Sequence, residues 1–170
     1  TLDGGEPDEM AALYSGPLTI TANSYLRARV FAAGTEPGPV TGAAYHRLAA
    51  DVVNFSSNLP LFIIDNFAGG GFPQDPLIPT VMSIHEPVAG RASLTNAPHL
   101  MTRAGMKRRG SSTGGQPKPN LAVEAWDEWD RDRDIEPLGF AAEADWILYA
   151  PLYFDPSLMH NPLMFELSNQ

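Results

Sequence analysis

A basic stretch at positions 107–120, KRRGSSTGGQPKPN, holds the residues whose types and spacing are best suited to chemistry. It combines cations (Lys107, Arg108, Arg109 and Lys118) with hydroxyl side chains and glycines. Cations and glycine-rich backbone N–H groups are used by proteins to bind phosphate. The stretch therefore has three interpretations: a loop that binds phosphate, a patch that binds nucleic acid, or a flexible turn between two strands.

The order of residues in this stretch excludes two common nucleotide-binding motifs. A P-loop needs lysine and then serine or threonine after its last glycine. Here Gln116 and Pro117 follow Gly115. The glycines also do not form the GxGxxG of dinucleotide-binding folds. From residue types alone, a hairpin loop between two strands is the favoured interpretation.

Other groups of reactive residues are weaker candidates. Asp130, Asp132 and Asp134 are spaced like the start of an EF-hand, but Ile135 and Ala141 stand where that loop needs glycine and glutamate. The four histidines share no metal-ligand spacing. No nucleophile-elbow motif surrounds the serines of the basic stretch. We therefore predict an acidic turn here and assign no metal ligands.

Composition is typical of a globular chain of 170 residues without cysteine. The net charge of −9 argues against a nucleic-acid partner, because affinity for phosphate backbones depends on clustered positive charge. No apolar run approaches the ~18 residues that a membrane-spanning helix needs. Five of the eleven basic residues lie within 103–118, and nine of the twenty acids follow within 124–145. A basic segment followed directly by an acidic one fits either two faces of one fold or a site that binds phosphate and divalent metal.

Apolar periodicity predicts a chain built mostly of strands. Alternating or continuous apolar runs bounded by turn residues indicate strands. We predict them within 16–21, 24–34, 59–67, 80–87, 102–110 and 119–129. The aromatic-rich apolar run at 144–154 fits either a buried strand or a packed turn. Positions 45–55 fit either a strand or a short helix. The run at 59–67 is continuous and is best interpreted as a buried strand.

The last residues have the pattern of a helix. Asp155 and Asn161 are each followed by proline, which is typical of a helix start. Met159, Leu163 and Leu167 would then share one face. The sequence begins with neither methionine nor a signal peptide, so we expect residue 1 to lie inside a longer polypeptide.

The first 31 residues resemble the chitobiase C-terminal-like, or Fn3-associated, repeat. TLDG at 1–4, GP at 16–17 and LRAR at 26–29 carry the likeness. The resemblance implies a small immunoglobulin-like β-sandwich, here lacking its first part. Such modules are accessory parts of secreted enzymes and surface proteins and have no chemistry of their own. We assign residues 1–50 to this module.

The remainder, from about residue 59, resembles the N-terminal portion of the CotH kinase-like family. Three blocks carry the likeness in order: RAGMKRRGSSTGGQPKPNLAVEAWDE, DIEPLGFAAEADWILYAP and DPSLMHNPLMFELSNQ. Characterised members are atypical kinases that transfer the γ-phosphate of ATP to protein serines. The resemblance implies that residues 51–170 form the β-rich N-terminal lobe of a kinase-like fold ending in a helix. The expected fold class of the whole chain is α+β, mostly β.

The same resemblance implies a nucleotide site with ATP and Mg²⁺ as cofactors. It implies that Arg109, Ser111, Ser112 and Lys118 lie near the nucleotide. Glu166, on the terminal helix, would pair with a phosphate-binding lysine. A protein substrate or surface component, and the rest of the chain's own polypeptide, are the implied partners. The implied location is secreted or on a bacterial cell surface.

Departures from the family pattern leave the activity open. Pro119 and Asn120 replace a lysine and a serine of the PKKS element, and His160 replaces the arginine of LMRN. The family's metal-binding and catalytic aspartates are expected beyond Gln170, so the chain alone is not expected to catalyse transfer. Two alternatives remain: a piece of a secreted kinase, or an extracellular scaffold or adhesion protein with an inactive kinase-like domain. Association with carbohydrate is a further interpretation, which rests only on the kinds of protein in which Fn3-associated modules usually occur.

Overall fold

The structure, a computed structural model, describes residues 1–169. Its strands and helices follow in chain order: β1 (Ser24–Ala28), β2 (Thr41–Tyr45), α1 (Ala50–Val53), β3 (Ser56–Ser57), β4 (Leu61–Asp65), β5 (Ile78–His85), β6 (Ala92–Ser93), β7 (Leu100–Arg109), β8 (Asn120–Trp126), β9 (Asp145–Leu148) and α2 (His160–Ser168). Short 3₁₀ turns lie at Pro137–Gly139 and Pro151–Tyr153. The prediction of a mostly β chain is confirmed.

One antiparallel sheet forms the centre of the molecule. Its strands stand in the order β4-β5-β7-β8-β9, so neighbours in the sheet follow one another along the chain apart from the short β6. β6 pairs with β3, and β1 pairs with β2, each as a separate two-stranded sheet. The strands predicted within 80–87, 102–110 and 119–129 are confirmed as β5, β7 and β8.

The core lies against one face of the five-stranded sheet. Successive side chains of a strand point to opposite faces, so every second residue is buried there. Met82, Ile84, Met106 and Val123 are at most 2% exposed and form the centre of this core. Ile135, from the segment after β8, packs against them. Each large apolar side chain removed from water stabilises the fold by roughly 1.5–3 kcal/mol.

Two of the strand predictions differ from the structure. Residues 16–21 form no strand. The run at 59–67 contains β4, but β4 is an edge strand whose residues are half-buried or exposed rather than buried. An edge strand loses the cover of one neighbouring strand, which the apolar pattern alone does not reveal. Positions 45–55 fitted either a strand or a short helix, and the structure has the short helix α1 there.

Helix α2 confirms the predicted terminal helix, but its apolar residues lie in solvent. Met159, Leu163 and Leu167 are each more than 50% exposed. Asp155 fixes the start of the helix: its carboxylate accepts hydrogen bonds from the Ser157 hydroxyl at 2.5 Å and from the His160 amide at 2.8 Å. The aspartate before Pro156, which marked a helix start in the sequence, therefore caps the helix from five residues upstream.

The Asp155 cap predicts a pH dependence of α2. The Ser157 hydroxyl, and after it the His160 amide, hold the pKa of Asp155 below its ordinary value of 3.8. A carboxyl whose folded pKa is lowered stabilises the fold above the unfolded pKa, and that stabilisation is lost as pH falls through the folded value. We expect the Cα chemical shifts of α2 to move toward random-coil values below pH 3.8. NMR titration checks this, and Asp155→Asn should remove the step; an α2 that titrates unchanged in that variant would contradict it.

The N-terminal module is a small β unit. Its hairpin pairs Ser24 with Tyr45 and Ala28 with Thr41. The chain start runs along the free edge of β1, where the Thr1 amine donates to the Arg27 carbonyl at 2.9 Å and the Arg27 amide donates back at 3.1 Å. β1 thus has backbone partners on both sides.

This module packs on the sheet through aromatic and charged side chains of β1. Tyr25 stacks on Phe67 at 5.9 Å between ring centroids, and the Arg103 guanidinium lies 6.0 Å from the Tyr25 ring. Burial, with the nearby Glu128 carboxylate, raises the pKa of Tyr25 to about 12. The module and the sheet therefore share a packed contact.

Arg27 joins the same contact from the next position on that face of β1. Its side chain is 3% exposed, donates to the Gly4 carbonyl at 3.2 Å and to the Glu128 carbonyl, and lies 3.9 Å from the Glu128 carboxylate. A single guanidinium thus connects the chain start to the segment after β8.

Candidate functional site

A shallow depression lies on the sheet face opposite the core. Strand register puts Lys107 opposite Ala122, and Glu124 opposite both Gly105 and Asp145. Because side chains alternate, these positions share the outer face. Of these, Lys107, Ala122, Glu124 and Asp145 border a depression of about 340 Å³, together with Leu77, Arg109 and Ile147. Val123 and Trp146, which pack against the core, complete its lining.

Two cations border this depression from β7. Lys107 and Arg109 are two positions apart on one strand, so both side chains extend from the same face. Arg108 between them belongs to the opposite face and donates to the Gly114 carbonyl at 3.0 Å, which fixes the hairpin loop. The basic run of the sequence is therefore divided: one arginine holds the loop, and the other two cations face the depression.

Two carboxylates form the other side. Glu124 and Asp145 stand directly opposite each other on β8 and β9. Like charges at such positions destabilise a sheet. Lys107 lies diagonally across from Glu124 on the neighbouring strand, which places a compensating cation beside the pair. The depression thus combines a cationic side and an anionic side.

Trp126 fixes the position of Glu124. Its indole N–H donates to the Glu124 carboxylate at 2.8 Å. The indole ring covers Gly105, where an added Cβ would lie 2.1 Å from the ring. Only glycine leaves room for this arrangement, so Gly105 allows Trp126 to hold the Glu124 carboxylate in place.

The five residues that sequence predicted for nucleotide binding lie on β7, in the loop that follows it and on α2. Arg109 lines the depression. Ser111, Ser112 and Lys118 lie exposed in the loop 110–119, which joins β7 to β8 as the predicted hairpin, and Glu166 lies exposed on α2. Within residues 1–169, no hydrogen bond or ion pair joins these five side chains to one another. Their contact with a nucleotide stays a prediction.

Lys107, Glu124 and Asp145 are site residues that sequence reasoning missed. Lys107 belonged to the basic stretch but was not selected. The two acids lie in separate segments of the chain, and only strand register brings them together. Alternation within β8 was the available signal, because it places Glu124 on the face opposite Val123.

Asn120 has a structural role that its sequence position did not suggest. Its side-chain oxygen accepts a hydrogen bond from the Ala150 amide at 2.7 Å. This bond fastens the chain after β9 to the beginning of β8. The residue that departs from the PKKS pattern therefore anchors the chain that leads to α2.

The described residues contain neither a cluster of metal-binding side chains nor a helix that could cross a membrane. Among residues 1–169, no three His, Asp or Glu side chains are grouped closely enough to hold a metal ion. Neither α1 nor α2 has the length and apolar character that crossing a membrane requires.

Comparison with known proteins bears on the N-terminal module. Residues 1–45 match the family model described as Fn3 associated. The N-terminal module is therefore similar to Fn3-associated segments over these residues. The match extends past the 31 residues that carried the resemblance and ends at the last residue of β2. No curated protein and no solved structure matches the chain.

Proposed function

We propose that residues 51–170 form the phosphate-facing N-terminal portion of a secreted CotH-like protein kinase, with the Fn3-associated segment as its accessory module. One observation carries this proposal: Lys107 and Arg109 extend from one face of β7 into the same depression. Fixed cations beside a concave surface are what phosphoryl transfer needs, because catalysis there depends mainly on positioning and charge stabilisation.

The chemistry of the depression fits ATP. Its volume of about 340 Å³ is within the usual range of small-molecule sites. Lys107 and Arg109 suit a polyphosphate. Mg²⁺ is usually held by one or two carboxylates together with the phosphates of the substrate, and Glu124 and Asp145 supply two carboxylates. When bound, the metal would neutralise charge on the phosphates.

The described residues would bind and orient the nucleotide. Arg109 would face the phosphates from the end of β7. Ser111, Ser112 and Lys118, in the adjoining loop, would add hydroxyl and cationic contacts from the open end of the depression. Glu166 would act as the carboxylate partner of a phosphate-binding lysine once α2 is packed against the site. Activation of the acceptor serine is not assigned to residues 1–169.

Nucleotide binding, measured by isothermal titration calorimetry, tests this proposal. We expect the chain to bind MgATP, and Arg109→Ala to weaken binding about 10- to 100-fold, because one charge-assisted contact to phosphate is lost. Arg133→Ala is the matched control: it removes an exposed arginine that does not line the depression. Absence of MgATP binding, or equal weakening by both substitutions, would count against the proposal.

A second candidate is an extracellular scaffold or adhesion protein with an inactive kinase-like domain. The bond from Asn120 to the Ala150 amide favours it, since this side chain is engaged in fastening the fold. Pro119 also lacks the cation that the family pattern has at that position. A chain that folds normally but binds no MgATP in the same calorimetry would support this candidate.

A further inference from the structure

The loop between β4 and β5, residues 66–77, borders the depression. Leu77 at its end belongs to the lining. The Pro73 carbonyl accepts a hydrogen bond from the Arg108 amide at 2.7 Å, which attaches the loop to β7. Asp75 lies 2.8 Å from the Lys107 ammonium and accepts a hydrogen bond from it. The loop thus presents a carboxylate to one of the two cations of the site.

The ion pair between Asp75 and Lys107 is exposed at the rim. The Asp75 side chain is 78% exposed and that of Lys107 is 35% exposed. Exposed ion pairs contribute little to stability, because water screens the charges and two side chains must be ordered. Another anion can therefore replace Asp75 at Lys107 at small cost.

The beginning of the same loop is glycine-rich. Gly69 and Gly70 have positive φ values of 75° and 78°, and an added Cβ at either, or at Gly71, would meet no atom within 4 Å. Three consecutive glycines in open space give the chain freedom to change direction. Phe72 and Pro73 fix the chain between these glycines and Asp75, so Asp75 leaves Lys107 by rotation of its exposed side chain while the loop stays attached.

We propose that Asp75 competes with phosphate for Lys107. Its carboxylate neutralises Lys107 when the depression holds no anion, and leaves when a phosphate chain enters. The other charged groups at the depression are Arg109, Glu124 and Asp145, all of which come from the sheet rather than from a glycine-rich loop. Asp75 thereby raises the concentration of anion that is needed to occupy the depression. This inference rests on the proposed phosphate-binding role of the depression.

Calorimetry with inorganic tripolyphosphate on the 170-residue chain at low salt tests the inference. We expect Asp75→Asn to tighten binding about two- to fivefold, the range that an exposed ion pair allows. Asp134→Asn is the charge-matched control, because Asp134 is exposed and does not line the depression. In a Lys107→Met background, Asp75→Asn should have no further effect.

The outcomes separate this inference from the proposed function. If the unaltered chain binds tripolyphosphate and Asp75→Asn changes nothing, or changes it no more than Asp134→Asn does, Asp75 is no competitor and the phosphate site stands. An equal gain in the Lys107→Met background also overturns the competition. If no variant binds tripolyphosphate, the proposed function fails, and the inference with it. Circular dichroism of each variant establishes that it is folded.

Discussion

Replacement of Gly105 by alanine is expected to lower the free energy of unfolding by about 1–3 kcal/mol, the usual cost of overpacking a buried site. The new Cβ would lie 2.1 Å from Cζ2 of Trp126, which is closer than any real carbon contact. Trp126 is itself 9% exposed, and Ala104 and Met106 on either side of the glycine are fully buried. The indole must therefore move, and its bond to Glu124 must lengthen or break.

Urea denaturation followed by circular dichroism measures this loss. Gly115→Ala is the matched control, because a Cβ there meets nothing within 4 Å. It should change stability by less than about 0.5 kcal/mol, as surface substitutions usually do. Adding Trp126→Leu should make Gly105→Ala less costly, since residues in contact are not additive. A Gly105→Ala chain as stable as the original would show that the indole is not held on this glycine.

The second large effect is expected at Arg27. Arg27→Met should cost roughly 1.5–3 kcal/mol, the range for hydrogen bonds that involve a charged group. The substitution removes donors to two backbone carbonyls, of Gly4 and Glu128, and leaves the Glu128 carboxylate without its cation. The N-terminal module should loosen from the sheet, while the core around Met106 stays folded.

Hydrogen exchange measures the opening of the N-terminal module separately from the opening of the five-stranded sheet. Amides of β1 and β2 should exchange faster in Arg27→Met, and amides of β7 should keep their protection. Arg29→Met is a suitable control, because Arg29 bonds to Gly38 at 2.8 Å and to Glu6 at 3.2 Å, both within the N-terminal module. It should not detach the module. Uniform loss of protection across β1 and β7 would instead mean that the two parts unfold together.

The central strands were predictable because their information is local. In β8, Val123 and Ala125 are buried and Glu124 between them is not, whereas the buried residues of β5 and β7 are consecutive, at 80–85 and 102–106. Both an alternating and a continuous apolar run predict a strand without any knowledge of the neighbouring strand. Residues 16–21 show the same kind of apolar run, but no strand forms there, because a strand also needs a partner.

The candidate site was predictable only in part. Arg109 was found because it belongs to a dense basic run, whereas Asp145 is 36 positions away and reaches the site through the register of two strand pairs. The contact of Lys107 with Asp75 depends on the course of a long loop, which periodicity does not specify. The likeness of the N-terminal module to Fn3-associated repeats was recognised from its motif, and the match of residues 1–45 to that family model agrees with it.

The topology of the sheet has a consequence for how the chain reaches its native state. Consecutive strands pair with one another, so the sheet assembles through closures between near neighbours in sequence. The bond from Arg27 to Glu128 instead spans 101 positions. The entropy lost on closing a loop grows with its length, and contacts distant in sequence slow folding. We therefore expect the sheet to form first and the amino-terminal hairpin to dock on it later.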